Sequence, residues 1–347
     1  MRRLLMNWYG RQARDLPWRG TTDLYSVWIS EIVLQQTRVD QGTPYIQRFL
    51  KRFPTVEKLA GAREDSVLKL WEGLGYYSRA RNLHKAARIV VRERNGLFPQ
   101  SAEEWLTLPG VGRYTAGAIA SIALDERVPV VDGNVKRVLA RLADYSESID
   151  TPVATEQFWT WMGHLVDGKS PGMFNQSVME LGANVCTPRR PLCTECPIVM
   201  CCAAYGNGTQ EERPVRTPKK KVPHHHIVVA AIRRGDRYLL GKRPTDGFLG
   251  GLWEFPGGKV EAGESHEEAL HREIEEELAI GLKTLEYLTT VNHAYSHFKI
   301  TLHVYLCTAY KGTPKNRVHT ELKWVQKKGF GKLAFPKANH KFMAMLP

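Results

Sequence analysis

The sequence has little cysteine and no long apolar run. Its 347 residues include six cysteines, and a single one, Cys307, lies outside residues 186–202. A chain so poor in cysteine is not a disulfide-stapled scaffold, and clustered thiols in a reducing compartment more often bind metal. No stretch approaches the roughly 18 apolar residues of a membrane helix, and the apolar run near the N-terminus is too short for a secretion signal. We therefore expect a cytoplasmic protein without a membrane partner.

Acidic residues are also scarce relative to basic ones. The chain has 36 Asp and Glu against 49 Lys and Arg, which gives a formal net charge of +13 and a pI near 9.5. This excess favours a polyanionic partner, and a nucleic acid before a membrane surface. The chain is also long enough to bury two ordinary cores, so we predict two or three domains.

Hydrophobic periodicity and composition divide the chain. Residues 1–205 have apolar residues at helical intervals, as in LYSVWISEIVLQQT and AGAIASIAL, and predict a mostly α first domain. Residues 206–223 are rich in proline and basic residues and predict a solvated linker. Residues 224–347 combine β-rich runs with one acidic helical segment and predict a smaller α+β domain. We interpret the three histidines at 224–226 as the entry to its first strand, and not as a metal site.

The clustered cysteines are spaced C-x6-C-x2-C-x5-C at Cys186, Cys193, Cys196 and Cys202. A structural zinc site would more usually have two C-x2-C pairs. The uneven spacing with one central C-x2-C suits a 4Fe-4S cluster held by four cysteines. Cys201 could replace Cys202 by a shift of one residue, which leaves the last ligand open.

Two further features lie between the predicted helices of the first domain. Gly110 and Gly112, in LPGVGRYTAGAIA, allow a tight helical hairpin whose backbone N–H groups could grip a phosphate. Asp132 precedes a basic helix in VPVVDGNVKRVLARL. Such an aspartate is usually a helix N-cap, and the spacing alone does not distinguish a cap from a catalytic carboxylate.

The hairpin, Asp132 and the cysteine loop occur in the order typical of helix-hairpin-helix DNA glycosylases, and this resemblance spans most of residues 1–205. Within that superfamily, RDLPWRG, SEIVLQQTRVDQGTPYIQRF and GLGYYSRARNL are similar to the MutY family of adenine DNA glycosylases. The resemblance implies base excision repair, with adenine removed opposite 8-oxoguanine or guanine in double-stranded DNA. It also implies that the iron–sulfur cluster stiffens a loop facing DNA and takes no part in catalysis. We expect a monomer, associated with the nucleoid if the source is bacterial.

The resemblance assigns catalytic roles to four residues. Glu31, in an apolar helix that should raise its pKa, would be the acid that protonates the leaving base. Asp132 would stabilise the sugar cation or attack it transiently, and Tyr114 and Asn134 would position the sugar and the carboxylates. Strand-cutting relatives have lysine in the Tyr114 position and form a Schiff base, so tyrosine predicts a monofunctional glycosylase.

The resemblance also implies DNA contacts. Gln36 and Tyr76 match residues that wedge into the duplex beside the flipped nucleotide. Arg14 and Arg19 align with the adenine pocket, although either could instead bind a phosphate. A tyrosine in an apolar stretch is more often part of a core, so Tyr76 depends mainly on the resemblance.

The second domain resembles Nudix proteins. The segment from Gly258 to Ile280 fits the Nudix pattern at nearly every position, and only Ala279 departs, in place of its final glycine. The pattern brings three carboxylates to one helical face, which in Nudix hydrolases holds magnesium against a pyrophosphate; they are Glu273, Glu276 and Glu277. An acidic surface helix is the simpler alternative.

A second segment of that domain resembles the lesion-recognition loop of MutY enzymes. In VNHAYSHFKI, the triplet Tyr295, Ser296 and His297 matches the family's F-S-H, with tyrosine in place of phenylalanine. The resemblance implies recognition of 8-oxoguanine. Two alternatives stay open: a mismatch thymine glycosylase, and a nucleotide pyrophosphohydrolase that its N-terminal half delivers to DNA.

Overall fold

The chain forms two compact units. The computed structural model describes residues 1–218, 221–295 and 297–347. The first unit contains Met1–Gly61 and Lys85–Lys219, and the second contains Ala62–His84 and Lys220–Pro347. Within the described residues, no helix is both long and apolar enough to cross a membrane.

The helices account for most of the first unit and a small part of the second. In chain order they are α1 (Arg2–Gln12), α2 (Leu24–Leu34), α3 (Val39–Arg52), α4 (Val56–Ala60), α5 (Glu64–Trp71), α6 (Ser78–Glu93), α7 (Ala102–Leu106), α8 (Arg113–Ala123), α9 (Gly133–Leu142), α10 (Pro152–Val166), α11 (Pro171–Asn184), α12 (Ala203–Gly206), α13 (His266–Leu278) and α14 (Lys337–Met343). Short 3₁₀ turns span Cys193–Glu195, Val199–Cys201 and Lys327–Lys332.

Helix α2 lies in the interior of the first unit. Its sequence, LYSVWISEIVL, is apolar around most of its circumference, and eight of its residues from Tyr25 to Val33 are buried. A helix that is apolar on all sides is stable only when it is surrounded by protein. Asp23 caps its N-terminus by accepting a hydrogen bond from the Ser26 amide at 2.9 Å, which removes one unpaired donor from the first turn.

Glycines allow α8, α9 and α11 to pack closely. A Cβ on Gly172 in α11 would lie 2.3 Å from the Ser121 carbonyl oxygen in α8, and one on Gly117 would lie 2.5 Å from the Pro129 carbonyl oxygen. Both distances are too short for any side chain. The same three helices bear residues of the candidate site, so close backbone packing fixes their relative positions.

The segment after α12 is attached to the first unit. Asp144 accepts a hydrogen bond from Thr209 at 2.6 Å and pairs with Arg213 at 2.9 Å. Asp150 pairs with Arg216 at 3.2 Å. Residues 209–216, within the segment that composition predicts as a solvated linker, therefore have specific polar partners on the first unit.

The second unit is built around a mixed sheet. Its strands are β1 (His224–Arg234), β2 (Arg237–Lys242), β3 (Trp253–Glu254), β4 (Gly281–Leu282), β5 (Glu286–Ala294), β6 (Lys299–Cys307), β7 (Tyr310–Lys311) and β8 (Glu321–Gln326). The main sheet has the order β3-β2-β1-β6-β5, with β8 also paired to β2, while β4 and β7 form a separate pair. Strands β1 and β6 are parallel, and the other pairs are antiparallel.

Alternate residues of β1 supply two cores. Val229 and Ala231 contribute to one apolar cluster, which also contains Phe342 of α14. Val228 and Ala230 contribute to another, which also contains α13 residues. This two-residue period is the pattern of a strand buried on both faces. The mostly α first part and the α+β second part therefore agree with the predicted fold class.

Ala279 explains why the Nudix pattern has glycine at its end. The residue follows α13 and adopts the left-handed conformation, with φ 54° and ψ 40°. Glycine reaches this region freely, whereas a side chain adds a steric cost of about 1 kcal/mol. The chain keeps the turn geometry of the pattern despite the substitution.

Candidate active site

Glu31 is a buried carboxyl on α2. The residue is 8% exposed, because the surrounding apolar side chains hold the whole helix in the core. Its pKa is raised to about 7, first by burial and further by the negative charge of Asp132, against the lowering effects of the Tyr114 hydrogen bond and the Arg19 charge. A carboxyl with this pKa carries a proton in a large share of molecules at neutral pH.

Tyr114, at the start of α8, contacts Glu31 directly. Its hydroxyl donates a hydrogen bond to Glu31 Oε2 at 3.1 Å. Burial and the charges of the two nearby carboxylates raise the pKa of the Tyr114 phenol well above its usual value. Tyr114 is therefore a neutral donor that orients the Glu31 carboxyl and leaves its other oxygen available.

Asp132 is the N-cap of α9 and a member of a polar chain. Its Oδ1 accepts from the Val135 amide at 2.7 Å, and its Oδ2 accepts from Asn134 Nδ2 at 3.0 Å. Burial raises the pKa of Asp132, and these hydrogen bonds oppose that shift. The N-cap interpretation and the catalytic interpretation are thus compatible, because the cap fixes the carboxylate at the partly exposed edge of the site.

Arg137 extends this chain to the cysteine loop. Its Nη2 donates to Asn134 Oδ1 at 2.8 Å and to the Gly182 carbonyl at 2.6 Å, while its Nε donates to the Cys186 carbonyl at 2.7 Å. A Cβ on Gly182 would lie 2.7 Å from Asn134 Cβ, so this glycine allows α11 to reach α9 here. Asn134 is held on both sides as a result.

Arg14 and Arg19 share a partner that the sequence did not reveal. Arg14 Nε and Nη2 donate to Glu180 Oε1 and Oε2 at 2.7 and 2.8 Å, and Arg19 Nη2 also pairs with Oε2. Burial alone would raise the pKa of Glu180, but the two arginines outweigh it and lower the pKa to about 2. Both arginines are therefore bound in an ion-pair network on α11, and the Arg19 charge also reaches Glu31.

The predicted DNA-contacting residues of the first unit lie at ends of helices. Gln36 follows α2, is exposed and has a φ of 56°. Gly110 has a φ of 79° in the turn between α7 and α8, and Gly112 is the N-cap of α8 without a side chain to bond its first amides. A non-glycine residue in the left-handed region is uncommon and often marks a functional position.

The cysteine loop encloses a small cavity. Cys186, Cys193, Cys196 and Cys202 line it together with Arg141, whereas Cys201 is exposed. Burial, opposed by an amide hydrogen bond and aided by the neighbouring thiols, raises the pKa of Cys196 to about 11. Four cysteines that line one small cavity suit a metal centre, because a bound cation would favour the thiolates that burial disfavours.

The predicted residues of the second unit fall into two groups. Tyr76, 36% exposed with a φ of 46°, makes an edge-to-face contact with His297 at a centroid distance of 6.1 Å. These two residues are distant in sequence and were predicted separately. Tyr295 is partly buried against Phe248 and Phe298. Ser296 lies outside the described residues.

The Nudix carboxylates are on α13 as the pattern predicts. Glu273 pairs with Arg272 at 3.0 Å, and a Cβ on Gly258 would lie 2.1 Å from the Glu273 carboxyl carbon. Glu277 accepts from the Gly257 amide at 3.1 Å, and burial raises its pKa to about 7. Glu276 is exposed. The arrangement offers oxygen ligands to a hard cation, although Arg272 already neutralises part of it.

Sequence reasoning missed Glu180, Arg137 and Arg141. Each is a charged residue within a helix, and each is buried. Arg141 Nη1 donates to Cys186 Sγ at 3.2 Å and to the Thr187 carbonyl at 2.7 Å. Buried charges are rare unless paired, so their positions on the buried faces of α9 and α11 were the available signal.

The chain is similar to two families of protein domains and to known enzymes. The family model of HhH-GPD superfamily base excision DNA repair proteins matches residues 29–163, and that of the NUDIX domain matches residues 228–345. The adenine DNA glycosylase of Rattus norvegicus is 38% identical over 93% of this chain and 73% of that protein. The adenine DNA glycosylase of Buchnera aphidicola subsp. Acyrthosiphon pisum is 37% identical over 85% of this chain and 83% of that protein.

A solved structure of a thermostable thymine-DNA glycosylase is also similar. It has a TM-score of 0.54 and 28% sequence identity, over 59% of this chain and 95% of that chain. Together with the two family models, this similarity confirms the predicted fold class, a helix-hairpin-helix glycosylase fold followed by a Nudix-like domain.

Replacing Glu31 with Gln should stabilise the folded protein at neutral pH. The folded pKa, about 7, exceeds the ordinary value of 4.5, so the folded state binds the extra proton between these values. The stabilisation that the protonated Glu31 carboxyl contributes to folding is therefore fully present at low pH and is lost as the pH rises toward 7. We expect the free energy of unfolding of Glu31→Gln, measured by urea denaturation, to exceed that of wild type by about 1–3 kcal/mol at pH 8. The difference should be much smaller at pH 5.

Glu180→Gln is the matched control for this prediction. Because the pKa of Glu180 is lowered to about 2, its contribution is present above the ordinary carboxyl pKa and is lost only as the pH falls toward 2. This variant should be less stable than wild type at both pH values. A Glu31→Gln protein less stable than wild type at pH 8 would show that the Glu31 carboxylate has a stabilising partner and that its pKa is not raised.

Proposed function

Because the chain belongs to the adenine DNA glycosylase family of base excision repair enzymes, we propose that it removes adenine paired with 8-oxoguanine or guanine and leaves the strand intact. The observation that carries the proposal is the position of Glu31. This buried carboxyl has a pKa near 7 and bonds to Tyr114. The charge of Asp132 acts on it from a neighbouring helix.

The chemistry requires two carboxyl groups in different states. Adenine leaves deoxyribose slowly unless a ring nitrogen is protonated, and the sugar then develops cationic character. Glu31, protonated near neutral pH, donates the proton to the base. Asp132 has its own pKa raised by burial, but two N–H groups bond its oxygens and favour its anion, which then stabilises the sugar cation. Water adds to C1′ of this cation and gives a proton back to the Glu31 carboxylate, which completes the hydrolysis. Asn134 positions the Asp132 carboxylate.

Tyr114 supports release of the base without strand cleavage. Strand cleavage at this position of the fold needs an amine that attacks the sugar and forms a Schiff base. Tyr114 is a neutral phenol with a raised pKa and is already bonded to Glu31. Lys136, four residues after Asp132 in the sequence, bonds instead to Thr155 at 2.6 Å. The product is therefore an abasic site in a continuous strand.

DNA binding follows from exposed turns of the first unit and its basic charge. The amides at the start of α8, which begins after Gly112 without a side-chain cap, can bind a phosphate together with the Gly110 turn. Gln36 would enter the duplex as the adenine leaves the stack. Arg14 and Arg19 line the adenine pocket, and their ion pairs with Glu180 hold them in place. The charge of Arg19 also acts on Glu31.

The second unit recognises the base that is paired with adenine. The contact between Tyr76 and His297 supports a joint role, in which the phenol ring inserts beside 8-oxoguanine and His297 and Ser296 bond its altered edge. Tyr295 supports the loop through its packing against Phe248 and Phe298. This assignment rests on the resemblance of the triplet to the family's recognition loop.

The four cysteines of the loop would hold a 4Fe-4S cluster. Cys186, Cys193, Cys196 and Cys202 line one cavity, and the cluster would supply a rigid cross-link between the ends of the loop. Arg137 joins the Cys186 carbonyl to Asn134 and so connects this rigid element to the carboxylate chain. The residues of the loop themselves, including Arg189 and Arg190, could contact phosphates.

Neither alternative accounts for the whole chain. Similarity to the thymine-DNA glycosylase covers 59% of this chain, whereas similarity to the adenine DNA glycosylase of Rattus norvegicus covers 93%. Nucleotide pyrophosphohydrolase activity would require neither the buried Glu31 nor its hydrogen bond to Tyr114. The magnesium for that activity would be held by Glu273, Glu276 and Glu277, of which Glu273 is paired with Arg272.

Glu31→Gln should abolish most base excision while retaining DNA binding. The variant keeps the size of the side chain and its acceptor for Tyr114 but cannot donate a carboxyl proton. We expect the single-turnover rate on A:8-oxoguanine DNA to fall by a factor on the order of 100 or more. In the wild type, product strands should break only after alkali, and borohydride should trap little enzyme. Near-normal excision by the variant would remove Glu31 from the acid role.

His297→Ala should weaken the preference for 8-oxoguanine over guanine opposite adenine. One lost hydrogen bond costs about 0.5–1.5 kcal/mol, or roughly 2- to 13-fold in the ratio of the two excision rates. Excision from A:G pairs should change much less, and His271→Ala, an exposed histidine on α13, is the control. An unchanged ratio of excision rates in the His297 variant would show that this loop does not contribute to lesion recognition.

The cluster assignment predicts iron and discriminates between adjacent cysteines. Protein purified anaerobically should contain about four irons per chain and be yellow-brown. Cys202→Ser should lose iron and DNA affinity, whereas Cys201→Ser should keep both, because Cys201 is exposed and does not line the cavity. Zinc in place of iron, or equal losses in the two variants, would contradict the assignment.

A further inference from the structure

Three histidines of the second unit converge from separate elements of the fold. His226 is on β1, His266 is the first residue of α13, and His303 is on β6. One ring nitrogen from each lies within 4.8 Å of the other two. The carboxylate face of the Nudix pattern uses none of them, and the adenine site belongs to the other unit.

The pairing of β1 with β6 brings His226 close to His303. Strands β1 and β6 are parallel, with His226 opposite Thr301 and Val228 opposite His303. His226 and His303 therefore extend from the same face of the sheet, the face that packs against α13. His225, the next residue along β1, points to the other face and contacts Phe298 there.

The ring nitrogens are close enough to share a small ligand. His226 Nδ1 lies 3.1 Å from His303 Nε2, and the His266 ring stacks on the His303 ring with centroids 3.6 Å apart and 25° between the planes. Because ligand lone pairs lie in the ring planes, the His266 ring would turn out of this stack when an ion binds. Two imidazole nitrogens at 3.1 Å need a proton or a cation between their lone pairs. Tetrahedral Zn–N bonds of about 2.0–2.1 Å bring nitrogens to a similar separation.

The hydrogen bonds around the histidines favour ligation. Thr290 Oγ1 lies 3.3 Å from His303 Nδ1 and can accept its proton, which leaves the Nε2 lone pair directed at His226. Metal-binding histidines usually donate the other ring N–H in this way. His224 stacks on His226 and bonds Thr301 at 2.9 Å through its own Nε2, so it supports the site from outside.

We propose that His226, His266 and His303 form a binding site for a borderline divalent cation such as Zn²⁺. Imidazole is a preferred ligand of zinc, copper and nickel, whereas magnesium and calcium prefer oxygen. Three protein ligands leave a fourth position for water, and exposed His226 gives the ion access from solvent. The ion would cross-link the start of β1 to α13 and β6, at the point where the chain enters the second unit.

The test uses the full-length protein with its cysteine site loaded. Equilibrium dialysis against Zn²⁺ should find one zinc per chain that excess Mg²⁺ does not displace. His226→Gln and His266→Gln should each weaken this binding by at least about tenfold. The matched control, His225→Gln, should bind zinc like wild type, because its side chain lies on the opposite face of β1.

Thermal unfolding supplies a second readout, in which the comparison of variants separates this site from zinc bound elsewhere. A ligand that binds only the folded state raises the unfolding midpoint. Zinc should raise it in wild type and in His225→Gln but not in His226→Gln, whose exposed side chain can be replaced without disturbing a core. The proposal is overturned if wild type binds no zinc beyond its cysteine site, or if His225→Gln and His226→Gln lose binding equally.

Discussion

The candidate active site depends on the burial of one carboxyl group in an apolar helix. Glu31 lies among the buried residues of α2, and this desolvation raises its pKa to about 7. The carboxyl must be paired or protonated because an unpaired charge there would be costly. Tyr114 provides a neutral donor, and burial favours the protonated carboxyl, which the proposed acid role requires.

The proposed mechanism also needs an ionised carboxylate nearby, and the start of a helix supplies hydrogen bonds that oppose the rise in the pKa of Asp132 caused by burial. Asp132 caps α9, so one set of hydrogen bonds both begins the helix and stabilises the anion. Asn134 and Arg137 then link this carboxylate to the backbone of the cysteine loop. Glycines at 117, 172 and 182 permit the close packing that these contacts need. The proposed roles of acid and anion therefore rest on the different hydrogen-bond partners of the two carboxyl groups, and not on residue type alone.

Local patterns predicted much of this arrangement, and long-range pairings could not be predicted. The apolar residues around Glu31 indicated its burial, and the spacing of the four cysteines indicated a common site. The ion pair of Arg14 with Glu180 joins positions 166 residues apart, and no periodicity reports such a pairing. The histidines at 224–226 do enter β1 as predicted, but only the register with β6 reveals that His226 meets His303.

The substrate preference of the wild-type protein tests the central claim most directly. Single-turnover base release would be measured on duplexes of one sequence that contain A:8-oxoguanine, A:G, T:G or A:T pairs. The account predicts the fastest release of adenine opposite 8-oxoguanine, slower release opposite guanine, and almost none from T:G or A:T. Faster release of thymine from T:G, or no release of adenine from any duplex, would contradict it.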